Sequence, residues 1–204
     1  MSSKRRGIFP LKTVLFPGAV MQLVIFEPRY LDLVSRCMSE QIPFVISRMT
    51  AGREVGSPAE FEAIGTFAHI VDFDKRDDGV LTIKVRGGER VCILEHQVQA
   101  DRLIVSEHLQ ILPSVRDHLL PDSVAALREL VTKLAKLPEV DIDTNEVALD
   151  SCEYVVHQLA QLLPIDLDFK QYLLEEQDAE HKAIALFNQL LDDSEAEQDD
   201  LDEY

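Results

Sequence analysis

Residues 9–30 have the sequence FPLKTVLFPGAVMQLVIFEPRY, and this stretch decides the fold of the first half of the chain. Two apolar runs, Ile8–Phe16 and Val20–Phe26, are rich in the β-branched and aromatic side chains that favour strands. A Pro-Gly pair between them is a turn signal. Pro28 suits the first position of a helix, where its missing N–H would have no partner. The stretch therefore predicts two strands, a turn between them and an early helix.

Strand patterns continue through the rest of the first half. Further strands are predicted at Pro43–Met49, Phe61–Phe73, Val80–Arg86, Glu89–Val98 and Arg102–Leu112. An Asp-Asp-Gly turn signal at residues 77–79 predicts a hairpin, and the Gly-Gly pair at residues 87–88 is expected to separate two strands. Many short strands with a single early helix favour a closed or partly closed β structure.

Beyond Pro113 the apolar positions recur with a helical period. Helix starts are predicted at Asp122 or Ser123, Asp166 and Asp178, and an apolar seam predicts one helix through Leu149, Cys152, Val156, Leu159 and Leu163. The chain is therefore predicted to be α+β, with a β lobe over residues 1–113 and an all-α lobe over residues 114–191. Residues 192–204 carry eight acidic side chains and no basic one, so we expect a disordered tail there.

The composition argues against two classes of partner. The net charge of −17 repels nucleic acid and disfavours anionic membranes. Three widely spaced cysteines predict no disulfide framework, and no apolar run is long enough for a signal peptide or a membrane span. We expect a cytoplasmic protein, and the sequence leaves its oligomeric state open.

Motifs for catalysis are missing from the sequence. No glycine precedes a lysine as a phosphate-binding loop requires, and neither HExxH nor a CxxC pair occurs, so no metal site or cofactor is expected. A hydrolase or small-molecule-binding enzyme with an unrecognised site remains the alternative, with Cys92 and His96 or Glu153 and His157 as its parts. RNA binding would require a local basic patch, and its candidate residues are Lys84, Arg86, Arg90 and Arg102.

Two phrases in the opening stretch, FPLKTVLFPG at residues 9–18 and LVIFEPRY at residues 23–30, resemble the start of the LON substrate-binding domain family. The second phrase is especially similar to the corresponding segment of the family's stand-alone bacterial members. Later segments that resemble the family are Gly65-Thr66, Asp78-Gly79, the VRGGER segment at residues 85–90, Pro164-Ile165-Asp166 and residues 170–174. The resemblance extends over residues 8–191 or thereabouts.

This resemblance implies a PUA-like pseudo-barrel followed by a helical bundle. It also implies a module that recognises substrates, related to the N-terminal domain of ATP-dependent Lon proteases, without the ATPase and Ser–Lys peptidase modules. We therefore expect a non-catalytic protein that binds unfolded or degron-bearing polypeptides, with a separate protease as a further candidate partner. The candidate peptide contacts are Leu23, Phe26, Tyr30 and Phe73.

Overall fold

The computed structural model describes residues 5–52, 59–75, 80–138, 140 and 142–202. The strands are β1 (Arg6–Leu11), β2 (Val20–Ile25), β3 (Phe44–Ala51), β4 (Glu60–Lys75), β5 (Leu81–Val98) and β6 (Ile104–Ile111). The helices are α1 (Pro28–Glu40), α2 (Ala126–Leu134), α3 (Glu146–Asp150), α4 (Cys152–Leu162), α5 (Leu167–Glu175) and α6 (Ala179–Asp202), with a short 3-10 helix at Asp122–Val124. The predicted α+β class, with one early helix among the strands and helices after them, is confirmed.

The chain divides into two compact units, Met1–Ser114 with Ile165–Glu175 and Val115–Pro164 with Glu176–Tyr204. The first unit contains the mixed sheet, in which the strand order is β2-β5-β4-β3-β1-β6. Only the β1–β3 pair is parallel among the pairs of this sheet that the described residues form. A further pairing of β5 with β6 closes five of the strands into a ring and leaves β2 at an edge.

The opening Phe-Pro-Gly segment crosses over the middle of β5. The Gly18 N–H donates to the Gly87 carbonyl, and the Gly87 N–H donates to the Ala19 carbonyl, each at 2.9 Å. Gly18 has a φ of 77°, which glycine adopts without strain. This crossing corrects two expectations: the first strand ends at Leu11 rather than at Phe16, and β5 continues through the glycine pair instead of stopping there.

Replacing Gly87 with alanine is expected to lower the free energy of unfolding by about 1–3 kcal/mol, because its new Cβ would overlap the backbone carbonyl of Phe16. Gly88→Ala is the matched control. Its Cβ would lie 2.7 Å from Nε2 of His69, an exposed side chain that can rotate away, so we expect a loss of about 0.5 kcal/mol or less. Urea titrations of both variants measure the difference. Equal losses would show that the close approach to Phe16 is not what requires glycine.

Helix α1 packs its apolar stripe into the main core of the first unit. Pro28 lies at its first position, as predicted, and the stripe buries Tyr30, Leu33, Val34 and Cys37. The side chains of Phe9, Phe44, Ile83 and Val85 belong to the same cluster and come from three strands, β1, β3 and β5. The core is therefore built between α1 and one face of the sheet.

Helix α5 differs from the predicted division of the chain, because it belongs to the strand-rich unit and not to the helical one. Its contacts explain this. The Gln171 side chain donates to the carbonyl of Ile64 on β4 at 3.1 Å, and Arg48 of β3 forms an ion pair with Asp168. Asp166 accepts hydrogen bonds from the N–H groups of Asp168 and Phe169, so it caps the helix start as predicted.

The second unit contains the remaining helices. Leu149 and Leu163 were expected to share one helix, but Ser151 interrupts it and caps α4 by accepting from the Tyr154 N–H. Asp178 caps α6 by accepting from two backbone N–H groups, in agreement with its predicted place. The backbone of α6 is helical to Asp202, and the disordered tail expected over residues 192–204 stays a prediction.

Candidate functional site

A cleft of about 460 Å³ lies in the first unit between the end of α1 and the second half of β4. The residues that line it are Cys37, Met38, Gln41, Ile42, His69, Ile70, Val71, Asp72 and Phe73. Three of its apolar side chains are strongly exposed: Met38 is 37% exposed, Val71 49% and Phe73 56%. The cleft thus offers apolar surface that water still reaches.

The α1 side of the cleft exists because the helix stops abruptly. Gln41 adopts a left-handed conformation with φ of 52°, and its N–H and that of Ile42 both donate to the Cys37 carbonyl. The chain then turns into β3. The side chain of Met38 remains on the surface, while Ile42 packs partly against the core.

The β4 side depends on a bulge. Ile70 pairs with Val85 and Asp72 with Lys84, so Val71 is an additional residue on β4. The bulge places an extra apolar side chain beside the cleft. Phe73 follows it and pairs with Ile83, a fully buried residue of β5.

The four candidate contacts fall into two groups. Phe26 and Phe73 are 60% and 56% exposed, and Phe73 lines the cleft. Leu23 is half-buried and packs against the core. Tyr30 is only 5% exposed and stacks on Phe9 with ring centroids 3.8 Å apart, so its side chain belongs to the core.

Strand β2 provides a second apolar surface at the edge of the sheet. Within the described residues it pairs with β5 alone. Val24 on this strand is 51% exposed, and Phe26 follows the strand directly. An edge strand of this kind can pair with an extended peptide.

Met38, Val71 and Ile42 were not predicted to line a site. Met38 has the same helical spacing as the buried residues of α1, and this spacing does not distinguish a surface position from a core position. No sequence pattern indicates the bulge at Val71, because the extra residue depends on the register between β4 and β5. For Ile42, the one indication in the sequence is that an apolar residue follows directly after the end of the helix.

The described residues that line the cleft include no activated nucleophile. Burial raises the pKa of the Cys37 thiol from 9.0 to about 11, so the thiol is protonated at neutral pH. Burial likewise raises the pKa of Cys152 to about 11. Neither group is therefore prepared for nucleophilic chemistry.

The residue pairs of the enzyme alternative lie outside the cleft lining. His96 packs against Phe61 with ring centroids 5.0 Å apart, and Cys92 is half-buried. Glu153 and His157 are one turn apart on α4, with Oε1 and Nε2 separated by 3.8 Å. Within the part of the chain that the structure describes, no three His, Cys, Asp or Glu side chains are grouped to hold a metal ion.

The four basic residues considered for RNA binding, Lys84, Arg86, Arg90 and Arg102, do not form one exposed patch. Arg90 is 3% exposed, and its guanidinium donates to backbone carbonyls of Leu174 and Pro113. It therefore cannot reach a phosphate. No helix in the described ranges is both long and apolar enough to cross a membrane.

Comparison with known proteins relates nearly the whole chain to one family. A family model described as "ATP-dependent protease La (LON) substrate-binding domain" matches residues 6–192. The Lon protease of Cytophaga hutchinsonii is 29% identical over 195 residues, which are 91% of this chain and 24% of that protein. Lon protease 1 of Syntrophobacter fumaroxidans is 25% identical over 188 residues, which are 90% and 23% of the two proteins. The chain thus spans about a quarter of the length of these relatives.

Solved structures agree with this relationship. The Lon N-terminal domain protein from Xanthomonas campestris has a TM-score of 0.73 and 29% identity, covering 91% of this chain and 98% of that one. The N-terminal domain of the Mycobacterium avium complex Lon protease has a TM-score of 0.61 at 16% identity, a likeness of fold alone, over 91% and 97% of the two chains. The resemblance predicted from residues 9–30 is confirmed, and the chain belongs to the LON substrate-binding domain family.

Proposed function

We propose that this chain binds exposed apolar segments of other polypeptides in the cleft between α1 and β4. The observation that carries the proposal is the exposure of Met38, Val71 and Phe73 around one concavity. The volume of about 460 Å³ is within the ordinary range of ligand sites. Membership of a substrate-binding family supports a role in recognition.

The expected affinity follows from the apolar area that a ligand would cover. Full burial of a Phe side chain stabilises a complex by about 1.5–3 kcal/mol, so covering the exposed half of Phe73 contributes about 1 kcal/mol. Met38 and Val71 add similar amounts. Part of the sum offsets the lost freedom of the peptide, so we expect weak binding of single segments.

The edge of the sheet can extend the binding surface beyond the cleft. A peptide that pairs with β2 would gain main-chain hydrogen bonds and would contact Val24 and Phe26. Leu23 and Tyr30, the other two candidates, would act indirectly by fixing the position of this strand and of α1.

We further propose that the module recognises substrates without acting on them and serves as an adaptor for a separate protease in the cytoplasm. The protonated thiol in the cleft supports the non-catalytic part of this proposal. A direct test combines the purified chain with a candidate protease and measures whether degradation of a bound peptide-bearing substrate becomes faster.

Titration of the ¹⁵N-labelled chain with an unfolded apolar peptide is expected to shift the backbone resonances of Met38, Val71 and Phe73. Phe73→Ala is expected to weaken binding by about fivefold, since it removes about 1 kcal/mol of burial. Leu94→Ala is the control, because Leu94 is 58% exposed on β5 but does not line the cleft. An absence of shifts at high peptide concentration, or equal effects of the two variants, would contradict the proposal.

A further inference from the structure

The charged groups of the cleft are unevenly distributed. Among the residues that the structure describes, its lining contains one carboxylate, that of Asp72, and no lysine or arginine. His69, the one histidine among these described lining residues, is exposed. The apolar surface of the cleft is therefore accompanied by a negative charge that no described basic lining residue balances.

The end of α1 contributes a partial negative charge, while Arg36 and Arg6 exert a positive influence on Cys37 in the cleft lining. The aligned peptide dipoles of a helix give its C-terminus a partial negative charge, and basic side chains usually occupy the last turn. Helix α1 has no basic side chain in its last turn, which instead carries Glu40. Gln41 and Ile42, which follow the helix directly, both line the cleft.

The carboxylate of Asp72 is available to a ligand. Its Oδ1 accepts a hydrogen bond from the Phe73 N–H at 2.9 Å, which holds the side chain in place. Lys84 is its cross-strand neighbour, but no ion pair joins the two within the described ranges. Asp72 is exposed, so a cation can reach its carboxylate while the hydrogen bond from the Phe73 N–H is kept.

We propose that the cleft selects apolar segments that have a lysine or arginine next to them. The apolar side chains of the segment contact Met38, Val71 and Phe73, and the cationic group lies between Asp72 and the C-terminal end of α1. The inference rests on the proposed function and adds to it a preference for positively charged ligands. The net charge of −17 favours the same class of ligand at longer range.

Three synthetic peptides with one apolar core and a flanking Lys, Gln or Glu test this preference by fluorescence anisotropy. At low ionic strength we expect the Lys peptide to bind about tenfold more tightly than the Glu peptide, with the Gln peptide between them. The ratio is expected to shrink as salt is added, because exposed charges are screened.

Asp72→Asn is the decisive variant, because asparagine retains an oxygen that can accept from the Phe73 N–H while the charge is lost. We expect it to reduce the ratio between the Lys and Glu peptides about threefold or more, and the Gln peptide reports any change in binding that does not depend on the ligand's charge. Glu129→Gln is the matched control, since this exposed residue of α2 carries the same charge and does not line the cleft.

The outcomes separate the two proposals. If all three peptides bind with equal affinity and shift the resonances of the cleft, the charge preference is overturned while the proposed function stands. If the two variants reduce the ratio equally, the preference comes from net charge and the assignment to Asp72 is overturned. If no peptide binds, the proposed function fails and the charge preference fails with it.

Discussion

Replacement of Arg90 by methionine is expected to lower the free energy of unfolding by about 3–5 kcal/mol. Arg90 is 3% exposed, and its Nη1 donates to the carbonyls of Leu174 at 2.8 Å and Glu175 at 3.4 Å. Its Nη2 donates to the Pro113 carbonyl at 3.0 Å. The last carbonyls of a helix have no partner within the helix, so this guanidinium satisfies the end of α5. Methionine fills similar space but donates no hydrogen bond.

Arg86→Met on the same strand is the control for this prediction. Arg86 is exposed and donates to the Gly18 carbonyl at 3.2 Å, so we expect its loss to cost about 1 kcal/mol or less. Urea titrations followed by circular dichroism measure both variants. A loss at Arg90 no larger than that at Arg86 would mean that the end of α5 does not depend on the guanidinium.

The bounds of most strands and helices could be predicted because they depend on local patterns. The alternation in Val80–Arg86, Pro28 at the start of α1 and the capping residues Asp166 and Asp178 each act within a few residues of the chain. The hairpin of β4 and β5 is likewise confirmed by its register, while its predicted turn at residues 77–79 lies outside the described residues.

Features that depend on distant contacts could not be predicted in the same way. The hydrogen bond from Arg90 to Leu174 joins residues 84 positions apart, and nothing in the local sequence distinguishes it from a surface arginine. The same reason explains why α5 was assigned to the helical lobe. Its helical period indicates a helix but does not indicate the strands against which Gln171 and Asp168 form their contacts.

The candidate site was predictable only in part. Phe26 and Phe73 are exposed aromatic residues, and apolar runs at strand ends gave a reason to name them. The cleft itself depends on the bulge at Val71 and on the left-handed conformation of Gln41, which is an uncommon residue type for that backbone conformation. A helix that ends in glycine would have been easier to delimit from sequence.

Tyr30→Ala is expected to lower the free energy of unfolding by about 3–5 kcal/mol, as removal of a buried aromatic side chain usually does. The Tyr30 ring stacks on that of Phe9, and the Arg29 guanidinium carbon lies 4.6 Å from the ring centroid. Arg29 is itself held by Glu27, at 3.1 Å, and by the Arg102 carbonyl, at 2.8 Å. Loss of the ring would therefore remove packing on two sides.

Phe26→Ala distinguishes peptide contact from core packing, the two roles that we assign to Phe26 and Tyr30 in the Phe-Glu-Pro-Arg-Tyr segment. Phe26 is 60% exposed, so we expect its replacement to cost about 0.5 kcal/mol or less in stability but to weaken peptide binding along β2. Urea titration measures the free energy of unfolding of both variants, and peptide titration measures their affinity. Tyr30→Ala should lower the free energy of unfolding strongly, and Phe26→Ala should lower only the affinity. The reverse pattern would mean that Tyr30 contacts the ligand and that Phe26 supports the core. It would contradict the view that Tyr30 serves the fold through its stacking on Phe9.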